Sequence, residues 1–130
     1  MSVDEWLARY ASAWREKDAP AAAALFTEDG VYRDHPFGPP HTGRAGVEEY
    51  WRNVTATQEA VELRYGAAIC SEDRRRAAAE FWVTMLTSGE PVTLSGILYL
   101  RFDGNGLCEE LREAWHFEAA RLEPPAGWGS

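Results

Sequence analysis

Basic charge is scarce in this 130-residue sequence: 13 Lys and Arg stand against 21 Asp and Glu, for a net charge of -8. Nucleic acids and anionic membranes are held by basic patches that displace counterions from phosphates, so neither is an expected partner. The one dense basic run, Arg74 to Arg76, follows "SED" in a predicted hairpin turn and reads as a solvated tip. Cysteine is nearly missing too. Cys70 and Cys108 lack C-x-x-C spacing and lie in apolar, strand-like segments, which predicts buried, reduced thiols. The three histidines, His35, His41 and His116, show no helical H-x-x-x-H spacing, and there is no Gly-rich phosphate loop or nucleophile elbow. Neither a metal nor a cofactor is therefore expected. No apolar run approaches the roughly 18 residues of a membrane span, and the opening "MSVDEWLARY" is acidic where a signal peptide is basic. A cytoplasmic location is the corresponding expectation.

What is present is apolar and aromatic. Hydrophobic residues make up 45% and aromatic ones 12%, with six tryptophans. That composition belongs to a folded chain with large surfaces to cover, and the length suits one core. A single domain over 1–130 is expected, with 118–130, ending "EPPAGWGS", as a C-terminal tail.

Ser2 and Glu5 form a capping-box pattern, and Val3, Trp6, Leu7, Tyr10 and Trp14 recur at helical spacing, predicting a helix over about 3–17. Asp18 can cap a second, Ala-rich helix with Pro20 in its first turn, ending near Phe26 before "TEDG". A short strand "VYRD" follows, then a third helix from about Gly43 to Thr57 carrying Val47, Tyr50, Trp51 and Val54 on one face. The remainder reads as strands: "VELRYGAAIC", "RAAAEFWVTML", "VTLSGILYLRF" and a last one through Leu111, Glu113, Trp115 and Phe117. The turns "SEDR", "SGEP" and "DGNG" suit tight reversals, so the last three strands should form an antiparallel meander. This order predicts an α+β domain whose curved sheet wraps around helices. Strands apolar at both parities need two covers. Helices and a pocket would take the concave face and a second copy of the chain the convex one, hence an expected homodimer.

The stretch "YRDHPFGPPHTGR" sets Asp34 and His35 beside a loop stiffened by Pro36, Pro39 and Pro40. At the mouth of a cavity lined by Trp14, Trp51, Phe81 and Trp115, a poorly solvated Asp34 would be a usable base near neutral pH. Its structural alternative is a carboxylate satisfied by backbone amides of the turn. Tyr10 shares the buried stripe of Trp6 and Trp14, so its hydroxyl needs a partner, either a ligand oxygen or Asp34. His35 could relay a proton or simply face solvent. Glu113 is a lone carboxylate on an apolar strand face, a site residue or a partner for Arg44 or Arg112. Tyr32, Val83 and Leu98 complete the expected pocket wall, while Glu80, Trp82, Thr84, Tyr99 and His116 are placed on the opposite sheet face.

With "LARY" on the first helix, "RDHPFGPP" and "HTGR" before the third, and "LRFDGNG" at the last hairpin, nearly the whole chain resembles the nuclear transport factor 2-like cone fold, in its SnoaL-like and ketosteroid isomerase branches. The resemblance implies a curved antiparallel sheet around three N-terminal helices. It further implies that Asp34 matches the proton-shuttling carboxylate and Tyr10 the tyrosine that donates to the enolate oxygen. His35 is an extra residue before "PFG", and strict alignment on Pro-Phe-Gly puts it in the base position instead. Leu98 stands where the isomerases carry a second, protonated acid; loss of such a donor costs about a hundredfold to a thousandfold in rate. The implied function is proton transfer next to a carbonyl, of isomerase or aldol-type cyclase kind, on a small apolar oxygenated molecule. Two alternatives stand beside it: a non-catalytic ligand- or partner-binding domain of the same fold, and a dehydratase or epoxide hydrolase on the same scaffold, although the paired acids and arginine of the latter are not evident in the sequence.

Overall fold

The computed structural model describes residues 1–130. Helix α1 spans Val3–Arg15, with the Ser2 hydroxyl accepting from the Glu5 amide at 3.1 Å. It stops before residue 17 because Lys17 turns to a left-handed φ of 56° and the Asp18 amide reaches back to the Ala13 carbonyl. Asp18 caps α2, Ala19–Ala23, which is shorter than its alanine run suggests. The reason is that the next residues are already sheet: β1 runs Phe26–Arg33, and Phe26 pairs with Cys108. The expected "TEDG" turn is absorbed into β1 as an irregularity between Phe26 and Val31.

A two-residue strand β2, His41–Thr42, leads into α3, Gly43–Thr55. Then come β3, Gln58–Tyr65; the short β4, Ile69–Cys70; and the long strands β5, Arg76–Thr87; β6, Glu90–Phe102; and β7, Cys108–Glu118. The sheet order is β2-β1-β7-β6-β5-β3, with β4 also on β5. The meander β5-β6-β7 is antiparallel, as the turns predict. The sheet as a whole is mixed, however, because β1 runs parallel to β7.

The segment "VELRYGAAIC" is two strands, not one. The Ala67 amide donates to the Gly129 carbonyl at 2.8 Å, so the backbone between β3 and β4 serves the tail rather than the sheet. β3 itself is bent by a register shift between Glu59 and Glu62, where Ala60 has a φ of 52°. Cys70, expected to be buried, is exposed, since β4 is an uncovered edge piece on which Ile69 is 77% exposed. Cys108 is buried, and burial pushes its thiol well above the ordinary range.

The inner face of the sheet carries Ala77, Ala79, Phe81, Val83 and Met85 of β5, Leu98 and Leu100 of β6, and Leu111 of β7 against the helices. Trp6 of α1 is fully enclosed, its indole donating to the Leu25 carbonyl at 2.9 Å. Burying such a ring contributes on the order of 3 kcal/mol. The outer face of β5 and β6 is partly covered by the tail beyond β7. Thr93 donates to the Ala120 carbonyl, Trp82 donates to the Leu122 carbonyl, and Trp128 lies edge-on to Trp82 with centroids 6.0 Å apart. The tail thus takes part of the face that sequence patterning left for a second copy.

Gly96, in the middle of β6, is where the inner wall is thinnest. A Cβ there would lie 2.4 Å from the Ala114 carbonyl oxygen and 2.7 Å from both Phe81 Cζ and Trp115 Cβ. The glycine lets the Phe81 ring settle onto the strand. Gly96→Ala is expected to destabilise the fold by about 1–3 kcal/mol, read as a lower urea midpoint at unchanged slope. An unchanged midpoint would mean that the Ala114 backbone, as well as the Phe81 ring, gives way without cost.

Candidate active site

The cone opens at the C-terminal end of β7, and its interior holds a cavity of about 350 Å³. Trp14 of α1, Tyr32 of β1, Tyr50 and Trp51 of α3, Phe81 of β5 and Glu113 with Trp115 of β7 line it. The helical spacing that places Trp14 one turn beyond Tyr10, and the strand alternation that places Glu113 with Leu111 and Trp115, aim these side chains inward. Trp115 and Phe117, 40% and 56% exposed, form the rim.

Glu113 is the charged residue of this wall. Its Oε1 accepts from the Tyr32 hydroxyl at 2.7 Å. Burial pushes the carboxyl up from 4.5 to about 7; the Tyr32 bond opposes this, the Asp34 carboxylate adds to it, and Trp115 opposes it. Tyr10, Tyr32, Tyr50 and Tyr65 are all raised, first by burial and then by the negative charge of Glu113. Four phenols from four elements therefore surround one carboxyl. Of their hydroxyls, Tyr10 and Tyr65 have no hydrogen-bond partner, and neither has the Trp51 indole N–H. Unpaired buried donors are costly, so this end of the cone is polar by construction and incompletely satisfied.

The residues expected from sequence fall into three groups. Trp14, Tyr32, Trp51, Phe81, Glu113 and Trp115 line the cavity. Val83 and Leu98, expected in the wall, are instead fully buried in the core; Leu98 lies directly across from Glu113 in the β6–β7 register and so packs beneath it. Tyr10 sits below Trp51, with centroids 5.4 Å apart, outside the lining. Asp34 lies just past the end of β1 and also outside the lining, its Oδ1 3.2 Å from His41 Nε2. His35 is exposed, and its Nδ1 accepts from the Phe37 amide within its own loop. Asp34 is thus partnered by a histidine rather than by turn amides, and Tyr10 is not bonded to it. Glu113 pairs with neither Arg44, which donates to the Phe26 carbonyl, nor Arg112, which pairs with Glu110.

Sequence reasoning did not single out the His41–Asp34 contact, nor Tyr50, whose ring lies 4.4 Å from that of His41 and 4.7 Å from that of Tyr32. The sequence carries no signal for either, since both follow from the two-residue strand β2, which folds His41 back beside Tyr32.

The SnoaL-like domain family matches residues 7–110. The chain belongs to the SnoaL-like family. Among solved structures, this SnoaL-like chain is similar to SalBIII, described as an epoxide hydrolase/cyclase-like enzyme in pyran ring formation in the polyether salinomycin. The two share 22% identity, with 89% of this chain and 94% of that one covered and a TM-score of 0.76. It is also similar to a hypothetical protein with a ketosteroid isomerase-like fold from Catenulispora acidiphila DSM 44928, in complex with trimethylamine. There the identity is 22%, the coverage 88% and 86%, and the TM-score 0.75. At these identities the likeness is one of fold, the nuclear transport factor 2-like cone. No curated protein matches the chain in sequence.

The raised carboxyl has a consequence for stability. Folding moves Glu113 from 4.5 to about 7, so the native state holds a proton that the unfolded chain releases between those values. This contribution is complete below about pH 4.5 and is lost as the pH rises through 7. Allowing for the part of the carboxyl open to the cavity, the loss is about 2–3 kcal/mol. Glu113→Gln should therefore gain in Tm relative to wild type by roughly 5–10 °C between about pH 5 and pH 8. Parallel Tm profiles would show that Glu113 is not perturbed by folding.

Proposed function

We propose that this SnoaL-like chain is a cofactor-free acid–base enzyme that moves a proton on a small, largely apolar, oxygenated molecule held in the cone. The observation that carries the reading is Glu113, a carboxyl poised near neutrality and hydrogen-bonded by Tyr32 in an aromatic cavity. A group with that pKa serves as acid and base in one cycle at neutral pH. In an isomerisation its ionised form takes the proton from the carbon between the carbonyl and a double bond and returns it to the far carbon of that double bond, which moves into conjugation. In a ring closure its protonated form gives the proton to the oxygen of the breaking epoxide C–O bond, while a hydroxyl of the same substrate forms the new C–O bond at that carbon and gives up its own proton, which restores the carboxyl. The cavity lies at the small end of the roughly 300–1,000 Å³ span of ligand sites, which suits a one- or two-ring substrate.

In this reading the proton-transferring role falls to Glu113 rather than to Asp34 or His35. Asp34 acts at a distance: its charge adds to the burial that holds Glu113 high, and its bond to His41 fixes the loop against Tyr50. Tyr10 supplies a hydroxyl beneath the site, close to Tyr32 and Glu113. Leu98 lies directly opposite Glu113 on the adjacent strand, so the position that carries a donor acid in the isomerases is apolar here and Glu113 serves as the proton-transferring group alone.

Two probes test the reading: 3-cyclohexenone, whose conjugation is followed by ultraviolet absorbance, and styrene oxide, whose opening is followed by chromatography. Conversion of at least one is expected, with an inflection in kcat/KM near pH 7. Glu113→Gln should reduce it by about a hundredfold to ten-thousandfold. Asp34→Asn should cost less than about tenfold and move the inflection to lower pH, since a neighbouring negative charge is removed. A folded wild type that binds phenol yet converts neither probe would favour a binding domain of the same fold.

A further inference from the structure

Sixteen residues line the cavity, and none is Lys, Arg or His. Seven of them carry aromatic rings, and aromatic faces are negative because of the ring quadrupole. These rings meet as walls rather than as a stack: Trp14 and Trp51 are tilted by 59° at 5.0 Å, Tyr50 and Trp51 by 81° at 5.5 Å. The charged group among them is Glu113, and Asp34 acts on it from behind the wall. Of the two amide side chains in the lining, Asn53 and Gln58, the latter already has its Oε1 taken by the Trp14 indole at 2.7 Å. The whole chain adds a net charge of -8. The carboxyl at this site, the aromatic faces that border it and the net charge of the chain thus favour a positive ligand over a negative one, the unpaired Trp51 N–H being the opposing donor.

We propose that the cavity is a receptor for positive charge, and that its ligand is a small apolar molecule bearing a tertiary or quaternary ammonium centre seated between the aromatic walls and Glu113. The inference rests on the acid–base reading only for the oxygen that such a ligand also presents to Glu113; the recognition of charge stands without turnover. Alkylated ammonium is favoured over primary amine because the walls offer few acceptors for N–H groups. Binding draws Glu113 into its charged form. The groups that face it are Tyr10 from α1, Tyr32 from β1, Tyr50 from α3 and Tyr65 from β3, with Asp34 after β1 and Trp115 on its own strand; Arg15 acts on Tyr65 from behind. None of the four phenols is negative at neutral pH, so the carboxyl alone gives up a proton when the cation arrives.

The test compares two molecules of one shape with no acidic proton of their own, choline and 3,3-dimethylbutan-1-ol, titrated calorimetrically into the full chain at about pH 8. A cavity that is merely apolar prefers the tert-butyl compound. The expected result is a preference of about tenfold or more for the ammonium compound. Its binding heat near pH 7 should also vary with the ionisation enthalpy of the buffer, as proton release requires, while that of the tert-butyl compound should not. Glu113→Gln should lose most of the preference. Equal or tighter binding of 3,3-dimethylbutan-1-ol by wild type overturns the proposal, and so does a preference that survives unchanged in folded Glu113→Gln. Neither result touches the acid–base reading, which stands or falls on conversion of the two probes.

Discussion

The parallel pairing of β1 with β7 is the constraint on which the site depends. It brings residues 26–33 beside residues 108–112, far apart in sequence, and sets Tyr32 next to Leu111. From that register the Tyr32 hydroxyl reaches Glu113 two residues on. Antiparallel hairpins form from local turns, but a parallel neighbour needs a long crossover, here the entire chain between the first strand and the last. The carboxyl and its donor therefore meet only when the sheet is complete.

A carboxyl in such surroundings is held in balance. Desolvation drives it toward the neutral form, while the Tyr32 bond holds the charged form within reach, and neither dominates at neutral pH. The unpartnered hydroxyls of Tyr10 and Tyr65 and the N–H of Trp51 add to the tension, because each is a buried donor whose hydrogen bond is unmade. A fold selected for stability alone would have filled this end of the cone with aliphatic side chains. Stability given up in this way is commonly met where a protein keeps polar groups exposed to a cavity for function.

Much of the fold was legible in sequence because it is local. The helical stripe of Trp6, Tyr10 and Trp14 and the alternation of Phe81, Val83 and Met85 follow from periodicity, and the meander follows from its turn residues. What escaped reading was non-local. Nothing near "TEDG" announces that Phe26 already pairs with Cys108, and nothing near "GAAIC" shows that the backbone between β3 and β4 will bond to Gly129. The site was legible to a similar degree: Glu113 stood out as a carboxylate on an apolar strand, and most of the wall was named. Asp34 drew attention through its stiff loop, yet its partner, His41, lies on the far side of that loop and could be found only from the strand pairing of β2.

The bend at Ala60 bears on how the molecule behaves in company. β3 is an edge of the sheet, and a straight edge offers a row of unpaired amides and carbonyls to any passing strand. The left-handed residue at Ala60 interrupts that row and twists it. The opposite edge, β2, is two residues long and preceded by Pro39 and Pro40, which leaves no room for a template. Each border of the sheet therefore presents only short runs of consecutive free backbone groups to another strand, and the uncovered β4 adds just its two residues to them.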